Sequence, residues 1–267
     1  MIIIGEKING SIPAVAEAIA KRDADFIRAR AKAQDEAGAT YIDVCASVPE
    51  NEEIEVLRWL IEQVQSVTEL PICVDSPSPH SCVAAMKFCN KPGIINSVSG
   101  EGEKMDIIFP AIADTKWQCI ALLCAKGIPT SAQDRLDVFH NIISKAEKYG
   151  ITPERFYVDP LVEMLCTSED GIKMVTDVIR SIKEEYPQIH IVGAASNVSF
   201  NLPARKLLNQ TFTVLAMNAG MDAAVLDPLN RDLMGMIYAT EAMLGMDDYC
   251  MEYISAYRKG IFGTAKK

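Results

Sequence analysis

The sequence predicts an α/β protein with a (β/α)8 TIM-barrel fold, in which residues 1–267 form a single domain. Eight short apolar runs alternate with longer helical patterns along the whole chain. The runs are continuously apolar, which is typical of parallel strands buried on both faces. No Pro-, Gly- or Ser-rich linker divides the chain, and one such barrel usually takes about 250 residues. A doubly wound sheet is the alternative, but it usually has fewer strands and a Gly-rich first turn, and no GxGxxG motif is present.

Each predicted strand is a run rich in Ile, Val, Ala and Cys. In chain order these are residues 2–8, 41–46, 72–76, 93–98, 118–124, 156–161, 190–196 and 223–227. The segments between them show apolar residues at helical spacing, as in Ile54, Leu57, Leu60, Ile61 and Val64. Breakers such as Gly38, Gly150 and Pro187 follow several of them. The predicted helices are residues 15–37, 51–67, 78–89, 104–114, 131–149, 168–186, 204–216, 231–243 and, closing the chain, 246–258.

Composition excludes several classes of partner. The chain has 26 Lys+Arg against 36 Asp+Glu, a net charge of −10, whereas nucleic acids and anionic membranes attract basic surfaces. No uncharged apolar run approaches the 18 residues of a membrane span, and no secretory leader is expected. The eight cysteines form no CxxC pair, so we expect reduced thiols and a cytoplasmic location. Small molecules and protein partners remain.

Polar residues follow seven of the eight strand runs, where TIM barrels place their active sites. One such residue could simply cap the next helix, but seven are hard to explain that way. The set is rich in hydrogen-bond acceptors, which suits a neutral heterocycle with several N–H donors. Its members are Glu6, Asn9, Asp43, Asp75, Asn96, Asp159, Ser196, Asn197 and Asp227.

Several other chemistries are disfavoured. No lysine ends a strand run, which argues against a Schiff-base aldolase. The three histidines lack metal-ligand spacing, and only His80 falls near the expected mouth, as a weak candidate for substrate contact. We predict no metal site, although convergence of Asp43, Asp75 and Asp227 on a cation stays open.

Five short motifs occur in order at the strand ends. Each is weak alone, but together they resemble the pterin-binding methyltransferases, and most nearly the methyltetrahydrofolate:corrinoid protein methyltransferases. That family includes the enzyme of the acetyl-CoA pathway, the folate domain of cobalamin-dependent methionine synthase and enzymes of glycine-betaine-type demethylation. The resemblance covers essentially the whole chain. The motifs are Gly5-Glu6-Lys7-Ile8-Asn9, Val74-Asp75-Ser76, Ile95-Asn96-Ser97 with Gly100-Glu101, Val158-Asp159-Pro160 and Gly193-x-x-Ser196-Asn197-Val198-Ser199.

The resemblance implies roles for individual residues. Asp75, Asn96 and Asp159 match positions that hydrogen-bond the N–H and amino edge of the pterin. Gly193 and Ser196 match the turn through which backbone approaches the pterin. Asn197 matches an amide beside N5 of the folate, so Asn197, Asp159 and Asp75 are the expected catalytic residues. Arg205 aligns with an arginine near the folate. The further pocket candidates are Glu6, Asp43 and Ser99.

The resemblance also implies an activity. The substrate would be tetrahydrofolate or 5-methyltetrahydrofolate, and the cobalamin would arrive on a separate corrinoid protein, because the chain has no DxHxxG motif and little length left for a cobalamin domain. A homodimer through the barrel-wall helices is expected. The loop at Phe200-Asn201-Leu202 favours a demethylation pathway, with methylcobalt as donor, over methyl transfer to the corrinoid iron-sulfur protein of the acetyl-CoA pathway.

Two further alternatives remain. Dihydropteroate synthase shares the fold but expects a segment of the type Asn-x-Thr-x-Asp-Ser-Phe after the first strand, where this chain has Ile8-Asn9-Gly10-Ser11-Ile12-Pro13. A folate-binding barrel without catalytic activity would need the edge contacts of Asp75 and Asp159, but not a group at N5. Asn197 therefore discriminates between an enzyme and a simple binder.

Overall fold

Eight parallel strands close into a barrel in the computed structural model, which describes residues 1–168 and 170–263. Each strand pairs with the next in sequence, and β1 also pairs with β8. The predicted TIM barrel is therefore confirmed. The strands are β1 Ile2–Asn9, β2 Tyr41–Cys45, β3 Ile72–Asp75, β4 Ile94–Ser99, β5 Gln118–Leu122, β6 Phe156–Asp159, β7 His190–Ala194 and β8 Ala223–Leu226.

Helices pack around the barrel with their apolar faces against the strands, forming a layer of core between the two. None of the helices in the described ranges combines the length and apolar character needed to cross a bilayer. The helices are α1 Pro13–Lys21, α2 Ala24–Glu36, α3 Glu50–Gln65, α4 Pro79–Met86, α5 Lys104–Ile112, α6 Ala132–Glu147, α7 Gly171–Glu185, α8 Arg205–Ala219, α9 Arg231–Met243 and α10 Met251–Lys259.

The prediction of one helix over residues 15–37 was wrong, because the chain breaks at Arg22 and Asp23. Arg22 has a left-handed backbone conformation with φ 53°, which ends α1 without a glycine. The carboxylate of Asp23 then accepts a hydrogen bond from the N–H of Phe26 at 3.1 Å and begins α2. Arginine rarely adopts this conformation, so the residue type at position 22 did not indicate a helix end. The apolar periodicity alone did not indicate the break either.

The end of the chain also differs from its prediction. The sequence pattern of a methionine-rich strip (Met234, Met236, Met243 and Met246) favours the core over burial at a dimer interface, but Met243 is 88% exposed and Met246 is 62% exposed in the single chain. Only Met234, at 1%, lies in the core. The predicted helix 246–258 begins later, at Met251, after a one-turn 3-10 helix.

Side chains fill the lower half of the barrel. The inward-facing cluster consists of Ile4, Cys73, Ile94, Ile120, Tyr157, Val192 and Ala223. Below it the ring of His190 stacks on Tyr157 at 4.8 Å, and Tyr41 donates a hydrogen bond to Gln118 at 2.9 Å. His190, at the start of β7, thus belongs to the floor of the barrel and not to the mouth. The filled floor leaves the opposite end, where the strands terminate, for a site.

Candidate active site at the barrel mouth

The ends of β2, β3 and β4 bring polar side chains to one level of the barrel. Asp75 is the last residue of β3, and its register partners are Cys45 on β2 and Asn96 on β4. The register of β4 against β5 then shifts between Asn96 and Val98, so that buried Ser99 lies opposite Leu122. Asp75 and Asn96 are therefore neighbours, as the predicted pterin contacts require.

Asp43 lies one step deeper and is only 2% exposed. Burial raises its pKa well above the usual range, and the negative charge of Asp75 raises it further, while Cys73 and Asn96 lower it by hydrogen bonding. Asp43 is the more deeply buried of the two carboxyl groups, so burial favours its neutral form more strongly. Its Oδ1 has no hydrogen-bond partner within residues 1–168 and 170–263.

A second buried carboxylate stands behind Asp75. Glu53, on α3, is 3% exposed and accepts a hydrogen bond from Oγ of Ser76 at 2.8 Å. Burial raises the pKa of Asp75, as does the charge of Glu53, whereas the thiol of Cys45 and the ammonium of Lys104 lower it. The sequence argument missed Glu53, although its place on the buried stripe of α3 was a detectable signal.

The end of β6 has different surroundings. Oδ1 of Asp159 accepts a hydrogen bond from the N–H of Leu161 at 2.9 Å. Burial raises the pKa of Asp159 to about 6, against the opposing effects of this N–H and of the Arg135 guanidinium. Arg135, on α6, is fully buried and was not predicted as a site residue. Its signal was an arginine on the stripe that otherwise carries Phe139, Ile142 and Ala146.

The loop after β7 carries Asn197, which is exposed and begins a one-turn 3-10 helix. Arg205 braces this loop rather than pointing away as a solvated cation. Its Nε donates to Oγ of Ser199 at 3.0 Å, its Nη2 donates to the carbonyl of Ser196 at 2.9 Å, and its guanidinium lies 5.0 Å from the centre of the Phe200 ring. A direct contact of Arg205 with folate stays a prediction.

Gly193 is explained by packing. A Cβ built at this position would come within 3.0 Å of Sδ of Met221 and 3.7 Å of Val162. Its neighbours on the strand alternate, with Val192 in the barrel interior and Ile191 in the outer core. The missing side chain therefore faces the helix layer. The expected role of Gly193 at the pterin stays a prediction, which this packing does not support.

The ends of β1 and β8 contain an ion pair that the sequence argument did not foresee. Nζ of Lys7 lies 3.2 Å from Oδ2 of Asp227, at a register shift between Gly5 and Ile8. The expectation that the strand ends lack lysine thus overlooked Lys7. Burial raises the pKa of neighbouring Glu6; Asp227 raises it further and Lys7 lowers it.

Asp227 therefore pairs with Lys7. The sequence had left open a different partner, a cation bound jointly by Asp43, Asp75 and Asp227. In the described ranges, no group of three or more His, Cys, Asp or Glu residues is arranged to hold a metal ion. His80 is exposed and lines a groove of about 400 Å³ next to Glu53, at the edge of the mouth. Contact between His80 and a substrate stays a prediction.

A cavity of about 530 Å³ opens beside Asn197. It lies between the segments that follow β5, β6 and β7, and most of its wall is apolar. Its size falls within the range of small-molecule sites in proteins. The lining residues are Ile128, Thr130, Leu161, Val162, Glu163, Met164, Thr167, Asn197 and Phe200.

Comparisons with known proteins agree with this architecture. The chain is 48% identical over 269 residues to the methylcorrinoid:tetrahydrofolate methyltransferase of Eubacterium limosum, covering 100% of this chain and 99% of that protein. It is 26% identical to the methionine synthase of Mycobacterium leprae, where the match covers 86% of this chain but 21% of the longer protein.

Among solved structures, dihydropteroate synthase from Clostridium difficile superposes with a TM-score of 0.71, covering 91% of this chain and 96% of that chain. Its sequence identity is 19%, so this likeness concerns the fold alone. The family model described as pterin binding enzyme matches residues 11–227. That match spans most of the chain and includes all the strand ends described above, except that of β1. The chain therefore belongs to the pterin-binding enzyme family and, by its full-length 48% identity, to the methyltransferases within it.

Proposed function

We propose that this enzyme transfers a methyl group from the cobalt of a methylated corrinoid protein to N5 of tetrahydrofolate, and that one site serves both directions. The observation that carries the proposal is the end-to-end identity of 48% to a methylcorrinoid:tetrahydrofolate methyltransferase. The acceptor-rich strand ends support it, because they suit the N–H groups of a pterin.

Recognition rests on the carboxyl groups of Asp75 and Asp159. A pterin presents a ring N–H beside an amino group, and the two oxygens of one carboxylate can accept from both. Asn96, which is adjacent to Asp75 in the register, supplies an amide that can donate or accept. Asp43 lies below and hydrogen-bonds Asn96, and burial favours the neutral form of its carboxyl group, which limits the negative charge at this side of the pocket.

Catalysis requires positioning and control of the proton at N5. The corrinoid protein's methylcobalt is the second substrate. The lone pair of N5 would attack the methyl carbon and form the C–N bond while the Co–C bond breaks; its electron pair would stay on cobalt as cobalt(I), and the proton of N5 would pass to water. The proposed role of Asn197 is that its amide hydrogen-bonds N5 while charge develops there. Support comes from Arg205, which braces the loop that carries Asn197 through Ser196 and Ser199. Such a reaction needs no nucleophile from the protein, and most of the rate enhancement comes from orientation.

The alternatives differ in what they require. Methyl transfer to a corrinoid iron-sulfur protein, as in the acetyl-CoA pathway, would use the same pocket in the opposite direction. The relative's name gives methylcorrinoid as the donor and favours the demethylation direction. Dihydropteroate synthase is favoured only by likeness of fold. A folate-binding barrel without catalysis would leave the amide of Asn197 unused.

We also propose that residues 1–267 form one pterin-binding domain, which acts as a homodimer in the cytoplasm. All eight cysteines lie in the described part of the chain and are free thiols, which supports a reducing compartment. Five of them are buried, where a thiol behaves as a small apolar group.

Replacement of Asn197 by alanine tests the proposed chemistry. We expect Asn197→Ala to lower the methyl-transfer rate by about 100-fold, the usual effect of removing one transition-state hydrogen bond, while tetrahydrofolate affinity changes only a few-fold. The assay follows transfer from a panel of methylated corrinoid proteins, and affinity is measured by calorimetry.

The matched control is Asn141→Ala on the exposed face of α6, which should leave both quantities unchanged. Equal losses of rate and affinity in Asn197→Ala would contradict a transition-state role. A wild-type protein that binds tetrahydrofolate but exchanges methyl with no corrinoid protein in either direction would support the folate-binding barrel instead.

A further inference from the structure

We propose that Arg135 is a positioning residue that holds the backbone after β6 and so fixes the orientation of the Asp159 carboxylate toward the substrate. Its value for catalysis rests on the proposed function, since it acts through a pterin-binding group. The geometry itself concerns only side chains and backbone of this chain.

Three acceptors surround the Arg135 guanidinium within four residues of Asp159. Nη1 donates to the carbonyl oxygens of Pro160 and Leu161, both at 2.6 Å. Nη2 donates to Oε1 of Glu163 at 2.8 Å, which makes a salt bridge. The Arg135 side chain is fully buried, whereas that of Glu163 is 22% exposed, so the guanidinium itself is shielded from water. One planar group therefore fixes the whole turn that follows the strand.

The turn needs such support because Leu161 has a left-handed backbone conformation, with φ 63°. A leucine rarely adopts this conformation unless the surrounding structure imposes it. The N–H of Leu161 donates to Oδ1 of Asp159, while its carbonyl accepts from Arg135. A shift of Leu161 would thus release the carboxylate, and Arg135 prevents that shift.

Arg135 also acts by its charge. Among the described residues, titratable groups near Asp159 include Arg135 from α6, the thiol of Cys124 after β5 and the carboxylate of Glu163, which pairs with Arg135. Arg135 is the cation of this set, and it lowers the pKa of Asp159 against the effect of burial. Glu163 holds the guanidinium in place and lines the cavity beside Asn197.

Arg155 offers a matched control, since it also binds backbone carbonyls but at the opposite end of β6. Its guanidinium donates to the carbonyls of Ala113 at 3.2 Å, Ile112 at 2.7 Å and Trp117 at 2.9 Å. Removing Arg155 should therefore cost stability in the same way as removing Arg135, without any effect on the mouth.

The experiment compares Arg135→Gln, Arg135→Lys and Arg155→Gln by carbon-13 NMR of the labelled Asp159 carboxyl group. We expect Arg135→Gln to raise the pKa of Asp159 above its starting value of about 6. Arg135→Lys should keep the pKa nearer to wild type, because it retains the charge, and Arg155→Gln should leave it unchanged. If Arg135→Gln does not fold, Arg135→Lys still tests the proposal. The lysine keeps the charge but not the planar fork, so the chemical shift of the Asp159 carboxyl group should change in this variant and stay unchanged in Arg155→Gln.

Tetrahydrofolate titrations over pH 5–8 give the second readout. In Arg135→Gln the acid limb of the affinity profile should move to higher pH, with an affinity loss of about tenfold at pH 7. Arg135→Lys should lose affinity without moving that limb, because it retains the charge but not the planar fork. An unchanged Asp159 resonance in both Arg135 variants, or equal shifts in Arg135→Gln and Arg155→Gln, would overturn the proposal. A shifted Asp159 resonance in a protein that binds no tetrahydrofolate would reject the proposed function and keep the positioning role.

Discussion

The carboxyl groups at the ends of β3 and β6 occupy equivalent places in the barrel but opposite electrostatic surroundings. Asp75 stands among other acids, with Asp43 below it and Glu53 behind it. Asp159 stands beside a fully buried guanidinium and accepts a backbone N–H. Both motifs read as Val-Asp after an apolar run, so the sequence alone does not distinguish them.

The difference suggests a division of labour at the two sides of the pocket. The β3 side binds protons readily, because its acids repel one another's charge. The β6 side keeps a carboxylate ionised at neutral pH, since its pKa is about 6. A ligand with N–H donors therefore meets a carboxyl group among acids on one side and a carboxyl group beside a guanidinium on the other.

Stability should depend on pH through Asp159 more strongly than through most surface acids. The unfolded chain releases this proton near 3.8 and the folded chain near 6, so the native state binds more protons between these values. Stability should fall as pH rises from about 4 to about 6, by at most about 3 kcal/mol and by less where solvent screens the carboxylate. Urea unfolding at each pH measures this slope. Asp159→Asn should reduce the slope of the free energy of unfolding against pH. An unchanged slope in that variant would mean that the acids near β3, and not Asp159, cause the pH dependence.

Affinity should suffer when either carboxylate is neutralised. We expect Asp159→Asn and Asp75→Asn each to weaken tetrahydrofolate binding by roughly 10- to 100-fold at pH 7, because each removes a charge-assisted hydrogen bond. The unfolding midpoint should not fall in either variant, since both acids are disfavoured in their ionised form within the fold. Calorimetry and thermal unfolding of the same samples test this pair of outcomes. Unchanged affinity in either variant would show that the substituted residue does not contact tetrahydrofolate.

The smallest effect should come from Glu53→Gln. Glutamine can still accept the hydrogen bond of Ser76, but the charge that raises the pKa of Asp75 is gone. The pKa of Asp75 should therefore fall, which is opposite in sign to the rise expected at Asp159 when Arg135 loses its charge. Tetrahydrofolate affinity should change by no more than about threefold, because Glu53 lies behind the pocket. A rise in the pKa of Asp75, followed by carboxyl NMR, would contradict the contrast between the two strand ends.

The barrel could be predicted from the sequence because the eight strands are buried on both faces and leave continuous apolar runs. The polar strand ends followed from the same pattern, and the order of the motifs indicated the family. The features that the sequence did not reveal depend on the direction in which a side chain points and on how deeply it is buried. Arg22 ends a helix in a conformation usually given to glycine, and Lys7 reaches the mouth because of a register shift.

Arg135 and Glu53 illustrate a related difficulty. Helical periodicity assigns both to the inward stripes of α6 and α3, yet charged residues on a helix are usually assumed to face solvent. The burial of these two charges is explained by the strand-end carboxyl groups and backbone carbonyls near them, and those partners are known only from the structure. Roles at the pterin, including those of Asn96, Ser99, Ser196 and Arg205, stay predictions.

The filled floor of the barrel has a kinetic consequence. Because the cluster around Tyr157 and His190 closes the lower end, the mouth is the open passage into the barrel among the residues that the structure describes. A corrinoid domain delivering its cobalt must cover that same passage. The folate substrate should then enter first and its product leave last, through a ternary complex formed in compulsory order. Initial-rate patterns should accordingly intersect rather than run parallel, and excess corrinoid protein should slow turnover by blocking folate exchange.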